Sequence, residues 1–338
     1  MEATLTRRRL LSLLIAGASL LLATAPVPGL RRPLVVVVGS ELAGAMAELE
    51  PIFERRHGGI DLAWKVQGAQ DMVNRAREEG PERPRVLIPA NRDLLDQLAA
   101  DLGAQGSATA FLQPPVPVAR TLLVAVAWPE RARRLFPDGR FSWALLRRAT
   151  AAGQWGALGA PMSWGSVDLR STDPMRSNSG QLTLALWCRG QNGADCAAGL
   201  RRAVYRPARS TDILLQEFIS GGPNEGDLAM VYEASALTRQ QEANRQRPGG
   251  YVLLFPDPTI ETVLAAAVLR GEAAGRSEDG ERFVAFLLSK EGQAVLTRLG
   301  FRGADGGGGS PQARGVKLLP PPSPREREEL LRLWQQAG

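Results

Sequence analysis

Three short polar turns have the residue types and positions needed to hold a small charged molecule. They are Gly39-Ser40, Gln67-Gly68-Ala69-Gln70 and Ser177-Asn178-Ser179-Gly180, and each comes directly before a predicted helix. A helix N-terminus presents unpaired backbone N–H groups and about half a positive charge, and Ser or Asn adds a hydroxyl or amide group. Turns of this kind that converge on one cleft would bind an anion without lysine. Ordinary helix capping is the better explanation of any single turn of this kind, whereas the run at 177–180 exceeds what a cap needs, and there capping and ligand binding explain it equally well.

Other common chemistries lack the residues they require. Gly39 and Gly44 have the spacing of a phosphate-binding P-loop, but Ala45 and Met46 stand where Lys and Ser or Thr are needed. No Gly-x-Gly-x-x-Gly follows a strand, and no Gly-x-Ser-x-Gly elbow is present. The single histidine, His57, ends a predicted helix beside two glycines, where we expect it to be solvated. We therefore expect no catalytic residue, no metal site and no cofactor.

The composition is that of a globular protein and not of a nucleic-acid-binding one. Hydrophobic residues make up 44% of the 338 residues and charged residues 22%, which excludes global disorder. Only three of the 41 basic residues are lysines, and the arginines are interleaved with Asp and Glu. A nucleic-acid-binding surface would concentrate them on one face. One histidine and two cysteines exclude most metal sites, and the length predicts two lobes or domains.

The first 25 residues are typical of an export signal. Arginines at positions 7–9 precede an uncharged apolar run at 10–23, and small residues at 23–25 offer a cleavage site. The run has 14 residues, fewer than the roughly 20 of a membrane-spanning helix. The arginines also resemble a twin-arginine signal, so both that route and the Sec route stay open. Pro26 disfavours cleavage, which leaves a membrane anchor through residues 10–23 as the alternative, and without a following cysteine we exclude a lipoprotein. We expect a periplasmic or otherwise extracytoplasmic protein.

Cys188 and Cys196 are the two cysteines of the chain. Disulfides persist in exported proteins, and the loop at 189–195 is short and contains glycines that let it turn back. We predict a disulfide that staples a surface loop; two buried thiols are the alternative.

The hydrophobic pattern alternates between strands and helices. Residues 34–38 form a continuous apolar run rich in valine, which is typical of a strand buried on both faces of a parallel sheet. The proline-rich stretch at 114–117 suits a crossover between lobes. Further strands are predicted at 60–66, 85–89, 121–127, 227–232 and 251–255, and helices at 41–56, 71–77, 93–102, 141–149, 179–187, 281–299 and 326–336. The chain is therefore an α/β protein whose N-terminal lobe is left and re-entered.

Three segments resemble one family, the type 2 periplasmic solute-binding proteins of the group related to molybdate, sulfate and phosphate binders. Residues 171–180 are similar to the ligand-loop motif of that group, and residues 282–302 resemble its C-terminal helix signature. Residues 315–317 and 322–334 resemble the tail of solute-binding domains that often precede a von Willebrand factor A domain, which we do not expect in this chain. The resemblance covers residues 33–338. It implies two lobes, each a mostly parallel sheet flanked by helices, with crossover strands and a ligand cleft between them.

The resemblance also implies which residues contact the ligand: Gly39, Ser40, Gly68 and Ala69 from lobe 1, and Arg176, Ser177, Asn178, Ser179, Tyr232 and Glu233 from lobe 2. The chain departs from the oxyanion-binding pattern at Ala69, where a hydroxyl residue is usual. Glu233 would repel an anion if its carboxylate pointed inward, and Arg170 or Arg176 would offset that charge by pairing with it.

The resemblance and the hydrophobic pattern together predict the domain organisation. We expect residues 1–25 to be a signal peptide or N-terminal anchor. The remainder is predicted to form the first part of lobe 1, lobe 2, the return to lobe 1, and a flexible link with a C-terminal helix, at residues 33–118, 119–257, 258–303 and 304–338 respectively.

The leading hypothesis is an exported, non-enzymatic protein that captures a small solute and delivers it to an ABC-type membrane permease. An oxyanion is the candidate solute. A membrane-tethered sensor or assembly protein that binds a protein partner is the alternative from a second class. An enzyme on the same fold is the third hypothesis, disfavoured because the chain lacks a nucleophile–base pair. Fold alone does not fix function, and we expect no nucleic-acid partner.

Overall fold

The structure is a computed structural model. It describes residues 32–77, 80, 82–104, 110–204, 206–270 and 274–337. The export signal predicted for residues 1–25 lies outside these residues. Within the described ranges, no helix is both long enough and apolar enough to cross a membrane.

The first part of the chain forms three parallel strands with helices between them. The elements are β1 (Arg32–Val38), α1 (Ala43–Arg56), β2 (Ile60–Val66), α2 (Ala69–Arg77), β3 (Val86–Ile88) and α3 (Asp93–Ala104). β1 lies between β2 and β3 and pairs with both in parallel. Val36 and Val38 pack in the cluster that contains α1, whereas Val37 packs with α2 and α3. Both faces of β1 are therefore buried, which explains its unbroken apolar sequence.

β4 (Val116–Ala127) leads out of this layer into the second group of elements. They are α4 (Pro129–Leu135), α5 (Trp143–Ala152), β5 (Leu169–Arg170), α6 (Asn178–Cys188), α7 (Gly193–Ala203), α8 (Thr211–Gly221), β6 (Leu228–Tyr232), α9 (Glu233–Gln246) and β7 (Val252–Leu254). Leu123 and Ala125 of β4 face one apolar cluster, and Val124 and Val126 face another on the opposite side. The alternation follows from the two-residue period of a strand.

The chain then returns to the first group. The remaining elements are β8 (Thr259–Val268), α10 (Ala274–Leu288), α11 (Lys290–Arg298), β9 (Leu318–Leu319) and α12 (Pro324–Gln336). Phe283 and Phe286 of α10 and Leu296 of α11 pack in the same cluster as β1. We call β1–β3, α1–α3, α10 and α11 lobe 1, and α4–α9 with β5–β7 lobe 2. The residue boundaries predicted for the lobes stay a prediction.

One mixed sheet runs through both lobes, in the order β2-β1-β3-β8-β4-β6-β5. β4 pairs antiparallel with β8 over its first half and with β6 and β7 over its second half. The far end of β8 pairs with β3. β4 and β8 therefore cross between the lobes. Because they belong to both lobes, they set the position of one lobe relative to the other.

The helix predicted at 281–299 is two helices. α10 ends at Leu288 and α11 begins at Lys290. Ser289 between them accepts a hydrogen bond from the backbone N–H of Gly292 at 3.2 Å, which caps α11. A Cβ atom at Gly292 would lie 2.3 Å from the carbonyl oxygen of Phe286, so the close approach of the two helices depends on this glycine.

The predicted disulfide is confirmed. Cys188 at the end of α6 is bonded to Cys196 in α7, and both residues are buried. The bond closes a loop with a sequence separation of eight residues. A loop of that size is expected to gain about 2–3 kcal/mol from the cross-link in the chain-entropy account.

The C-terminal helix packs on lobe 2. α12 contacts α6 and α7, and Trp334 is only 3% exposed in the same cluster as the disulfide. Ser323 and Glu326 form a reciprocal capping box that fixes the first turn of α12. Arg327 reaches Asp93 of α3 in lobe 1 at 2.5 Å, so α12 also connects the two lobes.

Candidate functional site

Three turns meet where the parallel strands of lobe 1 end. Gly39, Gln67 and Ala90 follow β1, β2 and β3 respectively. The N–H of Gly39 donates to the carbonyl of Ile88 at 3.0 Å, and the N–H of Gln67 donates to the carbonyl of Val38 at 3.0 Å. The turns therefore lie at one edge of the sheet, the edge at which open α/β sheets bind ligands.

Lobe 2 presents Asn178 and Tyr232 to this edge. Asn178 begins α6, Tyr232 ends β6, and Asn178 Nδ2 donates to Tyr232 Oη at 3.0 Å. The same amide nitrogen donates to the carbonyl oxygen of Ala90 in lobe 1 at 3.4 Å. Asn178 is 8% exposed. A single side chain thus joins the two lobes across the cleft, and the lobes are in contact.

The lobes also come close to each other at Gly68 of lobe 1 and Arg176 of lobe 2. A Cβ atom at Gly68 would lie 3.5 Å from the carbonyl oxygen of Arg176. The guanidinium of Arg176 is instead exposed and lies 3.8 Å from the Asp173 carboxylate. The backbone of Arg176, and not its charge, is therefore what meets lobe 1. The side chain of Ala69 lies outside the described part of the structure.

Ser179 is engaged within the protein. Its hydroxyl is 2.8 Å from Thr172 Oγ1, 2.8 Å from Thr211 Oγ1 and 3.2 Å from Ser177 Oγ, and the residue is fully buried. The hydroxyl network ties the segment before α6 to the first residue of α8. Ser177 is half-buried at the N-cap position of α6 and makes no capping hydrogen bond with its side chain. Of the two serines, Ser177 is the less buried.

Glu233 binds the C-terminal segment. Arg302 donates to its Oε2 from Nε and from Nη2 at 3.3 Å each, and the N–H of Ser310 donates to Oε1 at 2.8 Å. Burial raises the pKa of Glu233, and the Ser310 and Arg302 contacts oppose that rise. Both carboxylate oxygens are used inside the chain, so we do not carry Glu233 into the proposed ligand site.

Glu41 is the site residue that sequence reasoning missed. It lies in the short turn Ser40–Leu42 after β1, is 7% exposed, and that turn packs against α8 of lobe 2. A Cβ atom at Gly39 would lie 2.3 Å from Glu41 Oε1, so the carboxylate folds back over Gly39 because that residue is glycine. Burial raises the pKa of Glu41 to about 7. The signal in the sequence was its position directly after Gly39-Ser40, although an acidic residue there also suits a helix start.

The phenol of Tyr232 stays protonated. Burial raises its pKa most, the nearby charge of Glu41 adds to the rise, and hydrogen bonds with Asn178 and Thr262 oppose it. The hydroxyl therefore serves as a neutral hydrogen-bonding group beside Asn178 and Glu41.

Three acceptor oxygens around these turns have no hydrogen-bond partner among the residues that the structure describes. They are Oε1 of Glu41, Oε1 of Gln67 and Oδ1 of Asn178, and each atom is buried. Most buried polar atoms in proteins are paired. Among the described residues, no three His, Cys, Asp or Glu side chains form a cluster that would hold a metal ion.

Two α/β lobes that are joined by two crossing strands, with polar turns between them, are the architecture that the resemblance to type 2 periplasmic solute-binding proteins implies. Residues 34–302 match the sequence profile of the bacterial extracellular solute-binding proteins, and the chain belongs to that family. The match covers both lobes. No curated protein sequence matches the chain.

Solved structures share the fold at low sequence identity. The substrate-binding protein of an ABC transporter from Agrobacterium tumefaciens has a TM-score of 0.65 at 17% identity, over 91% of this chain and 94% of that one. The sulfate-binding protein SubI from Mycobacterium tuberculosis H37Rv has a TM-score of 0.59 at 15% identity, over 86% and 94%. Iron-bound HitA from Pseudomonas aeruginosa has a TM-score of 0.64 at 19% identity, over 90% and 99%. These likenesses concern the fold alone.

Proposed function

We propose that the protein captures a small solute between its lobes outside the cytoplasm and delivers it to an ABC-type permease. The observation that carries the proposal is the position of Asn178, whose amide reaches both Tyr232 and the Ala90 carbonyl of the other lobe. A solute held at this point contacts both lobes at once. Its binding therefore favours the closed arrangement, which is the signal that a permease reads.

The two crossing strands supply the hinge. β4 and β8 are continuous through both lobes, so bending them changes the distance between the facing strand ends without breaking the sheet. Contacts such as Asn178 with Ala90 form in the closed arrangement and are lost on opening. The Agrobacterium relative is the substrate-binding protein of an ABC transporter, and this supports the permease as partner.

An enzyme function is disfavoured by the groups at the site. The hydroxyl of Ser179 is bound to Thr172 and Thr211, and no base lies among its hydrogen-bond partners. Family membership also favours solute binding. Export through residues 1–25, by the Sec or the twin-arginine route, and anchoring through residues 10–23 remain part of the proposal.

The oxyanion remains one hypothesis for the solute. The N-terminus of α6, with Ser177 free of a capping bond, supports it, as does the sulfate-binding relative. The buried carboxylate of Glu41 opposes it. A membrane-tethered protein that binds a protein partner is the second candidate function, and it predicts no response to any small solute.

A thermal-shift panel on residues 26–338 tests the proposal. The panel contains phosphate, sulfate, molybdate, amino acids, sugars, thiamin and small amines. One solute is expected to raise the melting temperature, because a ligand at about 100 times its Kd adds about 2.7 kcal/mol to the folded state. Asn178→Ala is expected to weaken binding at least about tenfold, since it removes the hydrogen bonds that span the lobes.

The control for that variant is Asn224→Ala, which changes an exposed asparagine on lobe 2. It is expected to leave the shift unchanged. A flat response of the unmodified protein to the whole panel contradicts solute capture and favours the protein-partner hypothesis.

A further inference from the structure

The unpartnered oxygens at the site are all acceptors. Glu41 Oε1, Gln67 Oε1 and Asn178 Oδ1 are buried and lack donors within the described part of the chain. The donor side of the Asn178 amide is fixed by the Ala90 carbonyl, to which only its nitrogen can donate, so its oxygen points elsewhere. Leaving such a group unpaired costs free energy, and a ligand that donates hydrogen bonds recovers it.

A series of contacts connects the residues that carry these oxygens. Glu41 lies close enough to Tyr232 for its charge to act on the phenol, and Tyr232 accepts a hydrogen bond from Asn178. Gln67 is next to Gly68, which approaches the backbone of Arg176 two residues before Asn178. The oxygens come from both lobes, as expected of a cleft that closes on its ligand.

Among the described residues, no cation neutralises Glu41. Its carboxylate has no ion pair among the described side chains, and its Oε1 has no hydrogen-bond partner. On α8, which packs against its turn, Asp212 is paired with Arg239 and Glu217 with Arg170. On β6, the facing group is the neutral Tyr232 phenol. The site therefore lacks a positive charge to pair with the Glu41 carboxylate and hydrogen-bond donors for the three oxygens.

We infer that the solute is an organic cation whose protonated nitrogen carries several N–H donors, in the class of amines, amidines and guanidines. The inference rests on the proposed solute-capture function and specifies its ligand. An ammonium or guanidinium group has donors and no acceptors, and it pairs with a carboxylate through charge-assisted hydrogen bonds.

Competing ligand classes fit these groups less well. An oxyanion would meet the buried Glu41 carboxylate and the two amide oxygens, and it would leave all of them without donors. A metal ion would find one carboxylate, two amide oxygens and a protonated phenol, without a cluster of acidic or histidine ligands among the described residues.

Protonation of Glu41 makes the two charge classes distinguishable. Burial raises the pKa of Glu41 to about 7. In the empty protein, the stability that Glu41 contributes is present below its ordinary pKa of 4.5 and is lost as the pH rises through 7. A cation favours the ionised form and releases the proton. The affinity of the protein for a cation therefore falls about tenfold for each pH unit below 7 and levels off above pH 7. The affinity for an oxyanion instead falls above pH 7 and levels off below it.

Titration calorimetry of the unmodified protein between pH 5.5 and 8.5 tests the inference. The cation probes are putrescine, agmatine and arginine, with tetramethylammonium as a cation without N–H donors. The anion probes are sulfate, phosphate and molybdate. We expect at least one N–H cation to bind with the stated pH dependence, tetramethylammonium not to bind, and the enthalpy at pH 6 to vary with the ionisation enthalpy of the buffer.

Glu41→Gln is the matching variant. It is expected to weaken the N–H cation about 10- to 100-fold at pH 8 and to abolish the pH dependence. Glu50→Gln, which changes a carboxylate on α1 that binds the Trp64 indole, is expected to change neither. If Glu41→Gln does not fold, the pH and buffer dependence of cation binding to the unmodified protein tests the inference by itself.

The remaining outcomes separate the two proposals. Binding of an anion alone, or affinity for an N–H cation that does not change with pH, overturns the cation inference and leaves solute capture standing. Absence of binding by both sets overturns the cation inference. If the wider thermal-shift panel is also flat, solute capture falls with it.

Discussion

Replacing Asp227 by alanine is expected to lower the free energy of unfolding by about 3–5 kcal/mol. Asp227 is buried just before β6, and it accepts hydrogen bonds from Arg131 Nε at 2.6 Å, Trp155 Nε1 at 2.9 Å and the N–H of Asp168 at 2.7 Å. The substitution leaves three donors unpaired, two of them buried and one of those a charged guanidinium.

Urea unfolding measures this loss, with Asp61→Asn, an exposed aspartate of β2, as the control. Burial raises the pKa of Asp227 to about 6. The contribution of Asp227 to the free energy of unfolding should therefore fall as the pH rises from 3.8 to 6, and the variant should not show this fall. A loss below about 1 kcal/mol would contradict the proposed role of the network.

Trp334→Ala is expected to cost about 3–5 kcal/mol. The indole is buried against α6 and α7, in the cluster that includes Leu200 and the disulfide. The Arg201 guanidinium lies 5.1 Å from the ring centroid and also donates to the Trp334 carbonyl. Removing the ring leaves a cavity and loosens the last helix, because no other residue of α12 is as deeply buried.

Unfolding in urea, followed by the fluorescence of the remaining tryptophans, measures the loss for Trp334→Ala. Leu318→Ala, which truncates an exposed side chain of β9, is the control and should change stability by less than about 0.5 kcal/mol. Equal stability of the two variants would show that α12 does not contribute to the folded core.

The sequence predicted strands best where both faces are buried. β1 and β2 were located within two residues because continuous or alternating apolar runs leave few alternatives. β8, one of the two crossing strands, was missed. Its run Ala265-Ala266-Ala267 has high helix propensity, and only pairing with β4 and β3 holds it extended. The docking of α12 also depends on contacts distant in sequence, which periodicity does not report.

The candidate site was predictable in position but not in chemistry. Asn178 was named from its polar turn before a helix and from the family resemblance, Tyr232 was named from the resemblance alone, and the structure brings the two together. Glu41 was not named, because nothing in the sequence shows that closure of the lobes buries it without a counter-charge. Ser179 was named for its hydroxyl, which instead bonds Thr172 and Thr211. Its role toward the ligand stays a prediction.

The most direct test of solute capture between the lobes is native mass spectrometry of protein purified without dialysis. The measurement compares the unmodified protein with Asn178→Ala. We predict that the unmodified protein carries one bound small molecule per chain and that the variant carries none, because the residue that spans the cleft is lost. Identical masses bound to both proteins, or no bound mass in either, would contradict the account.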